Sequence, residues 1–346
     1  MSSVFVTQDA GNSDMMAHIA RVARKREHEH VIDTFLGMGM SLADQRAEIE
    51  KAIKNASCLL VSLSSKPENV LDEIFAMKTA YANNVRFGIA SDVPGMIHRS
   101  LWCGDAARNA AFLTVTSESE ITSARKYVST NTQIFAVRNP NVITYFTPAA
   151  VRDEVRAKLG VGEDEVMILG AGSKEDDRNE ALIRDILLAC NKLDVPIRIF
   201  FTLHPMAGQK GDTYAELITG SKHLATFDTA GLKTDALLEG ADIFMTAGGS
   251  TTGIRAACRR IPSIDLIHVP RDTVWWEGIS GLDYWPLNRM GASALARNSE
   301  DLAGAITEFI DPANPATTAM RAAQEEHFKP EYFENAADEI IKLITG

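Results

Sequence analysis

The chain has 346 residues, 45% of them hydrophobic and 23% charged, with a formal net charge of −11. That length allows two cores, and the composition excludes collagen, extensive disorder and a disulfide scaffold. The acidic balance opposes nonspecific attraction to nucleic acid and to anionic membranes, although a local basic cleft remains compatible with it.

Short apolar runs alternate with amphipathic stretches from the start. The runs are "VFVT" at 4–7, "CLLVSLS" at 58–64, "VRFGIAS" at 85–91, "AAFLTVTS" at 110–117 and "QIFAV" at 133–137. Between them lie "MMAHIARVARKREH" at 15–28 and "ENVLDEIFAMKTAYANN" at 68–84, which read as helices. Such alternation predicts a parallel sheet with helices on its faces. The pattern breaks at "NPNVITYFTP", 139–148, and a charged helix is predicted over 149–161. It then restarts with runs beginning at 165, 197, 223, 241, 262 and 292. The expected division is a Rossmann-like domain over 1–147, a second over 148–330 and a terminal helix over 331–346 that packs back on the first. Ser299 is the expected cap of a helix over 299–310.

The amino-terminal stretch has no basic flank leading into a long apolar segment, and no run approaches the roughly 18 apolar residues of a membrane span. A cytoplasmic protein is expected. The four cysteines, Cys58, Cys103, Cys190 and Cys258, form no C-x-x-C pair. At least Cys58 and Cys190 read as buried thiols.

Ligands of doubly wound sheets bind at the carboxyl ends of strands, so the loops after the apolar runs carry the chemistry. In "TQDAGNSDMMAH", Gly11 suits a tight turn, and Asp9, Asp14 and His18 are ionisable near a helix start. Ser13 or Asp14 caps the helix, or Asp14 serves as a general base with His18 as the competing candidate. In "LGAGSKEDDRNEA", Gly170 and Gly172 precede Ser173 and Lys174. This is not the full dinucleotide fingerprint, so neither NAD nor FAD is inferred. Lys174 or Arg178 could reach a phosphate, or the segment is a solvated helix start. His204 ends the "FFTLHP" strand.

The richest loop is "ADIFMTAGGSTTGIRAACRR", where Gly248 and Gly249 allow close backbone approach and Ser250, Thr251 and Thr252 add hydroxyls beside open amides. That set suits a diphosphate, or else a tight helix-to-sheet contact. The segment at 271–293 reads as a long loop holding three of the four tryptophans with Glu277 and Asp283. Such a loop fits a sugar site or an interface patch.

The two-domain plan, with "VRDEVRAKLGV" leading into "VMILGAGS", then "TLHP", "LLEGADIFMTAGGSTTGIRAACRRIPSI" and "ENAADEIIKLI", resembles glycosyltransferases of the B fold. It is similar in the same places to non-hydrolysing sugar-nucleotide 2-epimerases. The resemblance implies two Rossmann-like α/β domains facing a cleft. It also implies a nucleotide diphosphate sugar such as a UDP-sugar as co-substrate; no other cofactor is expected, and no clear D-x-D signature points to a metal. By the same resemblance Gly172 and Ser173 would approach the diphosphate, His204 the nucleotide, and Gly248 to Thr252 the phosphates. Asp14 would fall near the base-supplying loop.

One position departs from the family. About seven residues before Pro262, where relatives carry a ribose-binding glutamate, this chain has Arg255. An arginine cannot accept hydroxyl protons, but it can pair with a phosphate or a carboxylate. The leading expectation is glycosyl transfer to an acceptor hydroxyl of a small molecule, a glycan or a modified nucleic acid. The alternatives are a 2-epimerase and a non-catalytic nucleotide-sugar binder, and a homo-oligomer is allowed.

Overall fold

Cys58–Val61 and Ile243–Thr246 are buried at every residue, as strands covered on both faces must be. The computed structural model describes residues 2–25, 31–37, 43–205 and 207–346. It divides into two units. One comprises Met1–Ile143, Glu277–Leu282 and Pro330–Gly346, the other Thr144–Trp276 and Asp283–Lys329.

The first unit is built on a parallel sheet of β1 (Ser2–Thr7), β2 (Val31–Leu36), β3 (Cys58–Val61), β4 (Arg86–Ala90), β5 (Phe112–Val115) and β6 (Gln133–Ala136), ordered β2-β1-β3-β4-β5-β6. Alternation along β1 splits the core. Val4 and Val6 face Ile49, Ile53 and Met77, while Phe5 faces Met15, Met16 and Ile19. The terminal helix Ala336–Thr345 adds Ile340, Ile341 and Ile344 to the Phe5 side.

The second unit repeats the plan with β7 (Val166–Ala171), β8 (Ile197–Thr202), β9 (Leu224–Thr226), β10 (Ile243–Thr246), β11 (Ser263–Leu266) and β12 (Ala294–Ala296), ordered β12-β11-β10-β7-β8-β9. Ile168, Ile243 and Met245 pack against Ile186, Leu302 and Ile306, and Met167, Leu169 and Phe244 pack on Leu237 and Leu238. All four cysteines are buried, and burial pushes each thiol up to about 12. No helix among the described residues is long and apolar enough to cross a membrane.

Four local expectations are corrected. The first helix starts at Ala10, so Gly11 is helical, Ser13 and Asp14 lie past its start, and Asp9 immediately precedes it. The two carboxylate oxygens of Asp9 accept from the amides of Ala10, at 3.1 Å, and Ser65, at 3.0 Å. Residues 26–28 of the stretch expected to be helical lie outside the described residues. Strand β2 matches no apolar run singled out from the sequence. The cap of Ser299–Ile310 is Asn298, whose side chain accepts from the Asp301 amide. The stretch taken as a long loop instead contains helices Arg271–Ser280 and Pro286–Arg289.

Candidate functional site

A parallel sheet opens a crevice at the carboxyl ends of the two strands between which its order reverses. In the second unit these are β7 and β10. Ala171 pairs with Thr246, so the loops that follow leave the sheet at the same level.

After β10, Gly248 and Gly249 take φ values of +80° and +70°, in the left-handed region that disfavours a side chain. A Cβ on Gly249 would also lie 3.3 Å from the Trp276 ring. The turn aims the chain into helix Thr251–Cys258, which Ser250 caps by accepting from the Thr252 amide at 3.1 Å. The Gly253 amide donates to the Ser250 carbonyl, also at 3.1 Å. Among the described residues no group accepts from the amides of Gly248, Gly249, Ser250 or Thr251. Four consecutive donors beside the positive end of a helix dipole are suited to an anion.

The loop after β7 is closed more tightly. The Ser173 amide donates to Asn179 Oδ1 at 2.6 Å, and Asn179 Nδ2 donates to the Ser173 carbonyl at 3.2 Å. Asn179 is wholly buried, and a Cβ on Gly172 would meet its Oδ1 at 2.5 Å. The loop therefore contributes shape, with its Ser173 amide already engaged. Lys174 is half-buried, and His204 follows the end of β8, its carbonyl accepting from the Ala207 amide at 2.8 Å.

Arg178 does not extend towards a ligand. It is 3% exposed and donates to the Ala247 carbonyl immediately before the glycine pair. Its Nε lies 3.1 Å from Asp272, and its guanidinium sits 3.9 Å from the centre of the Trp275 ring. Burial alone would raise the Asp272 pKa, but Arg271, Arg178 and the His268 amide outweigh it and hold the carboxyl below its ordinary range. His268 carries the network on to Asp185 at 2.6 Å. The helix after β7, the end of β10 and helix Arg271–Ser280 are thus tied together beneath the glycine turn.

The tryptophans serve packing. Trp276 and Trp285 are 7% and 2% exposed and meet edge to face at 4.9 Å, and Trp276 Nε1 donates to the Tyr284 carbonyl. Their faces are used by the core, which corrects the expectation of a stacking surface for sugar or partner. Arg255 has protein partners, an ion pair with Asp235 and the Tyr145 ring at 4.4 Å. Thr251 and Thr252 are half-buried and Asp283 is exposed, all within the second unit.

The first unit holds the other candidates. Asp14 lies in the second turn of its helix, past the capping position, and is exposed. It lines a cavity of about 320 Å³ with Arg21, Arg24, Thr34 and Asn141. His18 is half-buried, and burial, with Arg21 and Lys25, lowers its pKa and favours the neutral imidazole. Glu277 groups with this unit, is exposed, and acts electrostatically on His98. Among the described residues no cluster of His, Cys, Asp and Glu could hold a metal ion.

Asn179, Asp272 and Asp235 were not singled out from the sequence. For Asn179 a signal exists, a polar pair in the first turn of the helix that follows Gly170, Ala171 and Gly172 at the end of β7.

Two doubly wound parallel sheets in one chain define the GT-B fold, and this chain has it. UDP-GlcNAc 2-epimerase from Neisseria meningitidis bound to UDP-GlcNAc matches over 100% of both chains, with TM-score 0.69 and 11% identity. MurG of Acinetobacter baumannii matches over 99% of both, with TM-score 0.60 and 12% identity. HepE of Anabaena in complex with UDP-glucose matches over 99% of this chain and 100% of its own, with TM-score 0.64 and 13% identity. No family model and no curated protein matches the sequence.

Proposed function

We propose that the chain is an enzyme acting on a nucleoside diphosphate sugar, and that its reaction is glycosyl transfer to an acceptor hydroxyl. The observation that carries this reading is the row of open amides from Gly248 to Thr251 at the switch point of the second sheet. Those amides and the helix they open would hold the diphosphate and stabilise charge developing on it as the glycosidic bond breaks. Gly172 and Ser173 would form the opposing wall, with Lys174 and His204 at its rim.

Asp14 would accept the proton of the acceptor hydroxyl, and His18, one helical turn on, is the alternative base in its neutral form. The acceptor class is a small molecule or a glycan. Support from known proteins is the shared fold of structures holding UDP-GlcNAc and UDP-glucose.

A second reading, epimerisation at C2 of the sugar, is favoured by the likeness to the N. meningitidis epimerase. One experiment separates the two. The protein is incubated with UDP-GlcNAc or UDP-glucose in deuterated water, with and without acceptor alcohols. Transfer releases UDP only when an acceptor is present, whereas epimerisation incorporates deuterium at C2 without one. Neither reaction, together with no rise in melting temperature on adding either sugar nucleotide, would remove both readings.

A further inference from the structure

A cavity of about 600 Å³ in the second unit lies at the amino ends of β10 and β11, whereas the glycine turn follows the carboxyl end of β10. Ala241 and Asp242 before β10, and Ile261 and Pro262 before β11, form its floor. Arg152, Arg259, Arg260 and Arg321 line it, against only two carboxylates, Glu239 and Asp242. Both carboxylates are already used. Asp242 pairs with Arg152 and with Arg156 at 2.9 Å, and Glu239 pairs with Arg259 at 3.1 Å.

Arg260 and Arg321 are left over. Arg260 donates only to carbonyls, those of Ala257 and Phe328, each at 2.9 Å. Among the described residues the Arg321 side chain has no ion pair or hydrogen bond. Arg260 also occupies the position after a helix end where the backbone turns left-handed, with φ of +58°, a position that glycine fills most cheaply. A costly conformation there carries a side chain that, among the described residues, no carboxylate pairs with. Phe309 and Ile310 add apolar surface to the same lining.

We infer that this cavity is a second binding site, separate from the glycine turn, for a phosphate monoester carrying an apolar body. The guanidinium fork of Arg321, with the N–H groups of Arg260 that the carbonyls of Ala257 and Phe328 leave open, would hold the dianion. The cavity falls within the usual range of small-ligand pockets, roughly 300–1,000 Å³.

The test is isothermal titration of the full chain with phenyl phosphate, a dianion with one apolar ring. Wild type is expected to bind, and Gly249→Ala, altered in the glycine turn, to keep the binding event that depends on Arg321. Arg321→Gln, which removes no side-chain hydrogen bond or ion pair found among the described residues, is expected to bind at least about tenfold more weakly. Arg260→Lys, with its fold checked by circular dichroism, keeps the charge, loses the fork and should also weaken binding. No binding by wild type, unchanged binding by Arg321→Gln, or loss confined to Gly249→Ala would each overturn the proposal. Because the glycine turn is varied separately, this outcome is independent of the sugar-nucleotide reading.

Discussion

Arg178, from the helix that follows β7, donates to the carbonyl of Ala247 at the end of β10. The bond spans the two strands between which the order of the second sheet reverses, so the placement of the open amides depends on a buried guanidinium. Arg178→Met should release the glycine turn and leave Asp272 with Arg271 and His268 as its remaining partners. Removing one partner of a buried pair costs about 3–5 kcal/mol, and the surviving Arg271 places this case near the lower value. Thermal denaturation should show a clear fall in midpoint, with a parallel loss of stabilisation by sugar nucleotide. An unchanged midpoint would mean that Arg178 does not hold the turn.

Ser250 and Gly249 separate stability from binding. Ser250→Ala removes the cap of helix Thr251–Cys258 and should cost about 1 kcal/mol. It leaves the four open amides in place, so sugar-nucleotide affinity should change little. Gly249→Ala forces a side chain into left-handed backbone, at about 1–2 kcal/mol, and against Trp276. It should therefore weaken binding as well as stability. Equal affinity losses in the two variants, measured by calorimetry, would contradict this division.

Arg255 and Asp235 form a partly exposed ion pair, their side chains 24% and 44% accessible. Solvent screening limits such a pair to about 1 kcal/mol or less. Arg255→Glu sets two carboxylates side by side and also removes the cation over Tyr145, so the second unit should lose stability. Adding Asp235→Lys restores opposite charges and should recover part of the loss. A double-mutant cycle in thermal melts reads the coupling directly, and zero coupling would show that the pair is incidental.

The strands were legible because both faces of each sheet are covered, which turns them into unbroken apolar runs such as "CLLV" and "IFMT". Strand β2 was not, because it is an edge strand in which exposed Asp33 and Thr34 interrupt the apolar pattern between Ile32 and Phe35. The glycine turn was legible because left-handed backbone and a serine cap leave local marks. The ties from Arg178 to Asp272 and from Arg255 to Asp235 join segments far apart in the chain, and no local periodicity records such contacts. The tryptophan-rich segment was read as a surface because carboxylates flank the aromatics, whereas edge-to-face packing of Trp276 on Trp285 draws the rings inward.

Glu73 gives the first unit a pH dependence. Burial drives its pKa up to about 8, and this outweighs the hydrogen bonds that Oε1 accepts from Ser64, from the Gln8 amide and from Thr7. The ordinary value is 4.5, so between 4.5 and about 8 the folded chain holds a proton that the unfolded chain releases. Stability from this group is complete below 4.5 and declines as pH rises through 8, by at most about 1.4 kcal/mol per pH unit. Glu73→Gln keeps an acceptor for Ser64 and Gln8 and removes the titration. Its melting temperature should fall less steeply than that of wild type from pH 5 to pH 8, the two being closest at the acid end. Asp265, buried in the second unit with Ser293 at 2.5 Å and a pKa raised to about 7, has the same sign and accounts for a residual slope. Parallel profiles for Glu73→Gln and wild type would show that Glu73 is ionised in the folded chain.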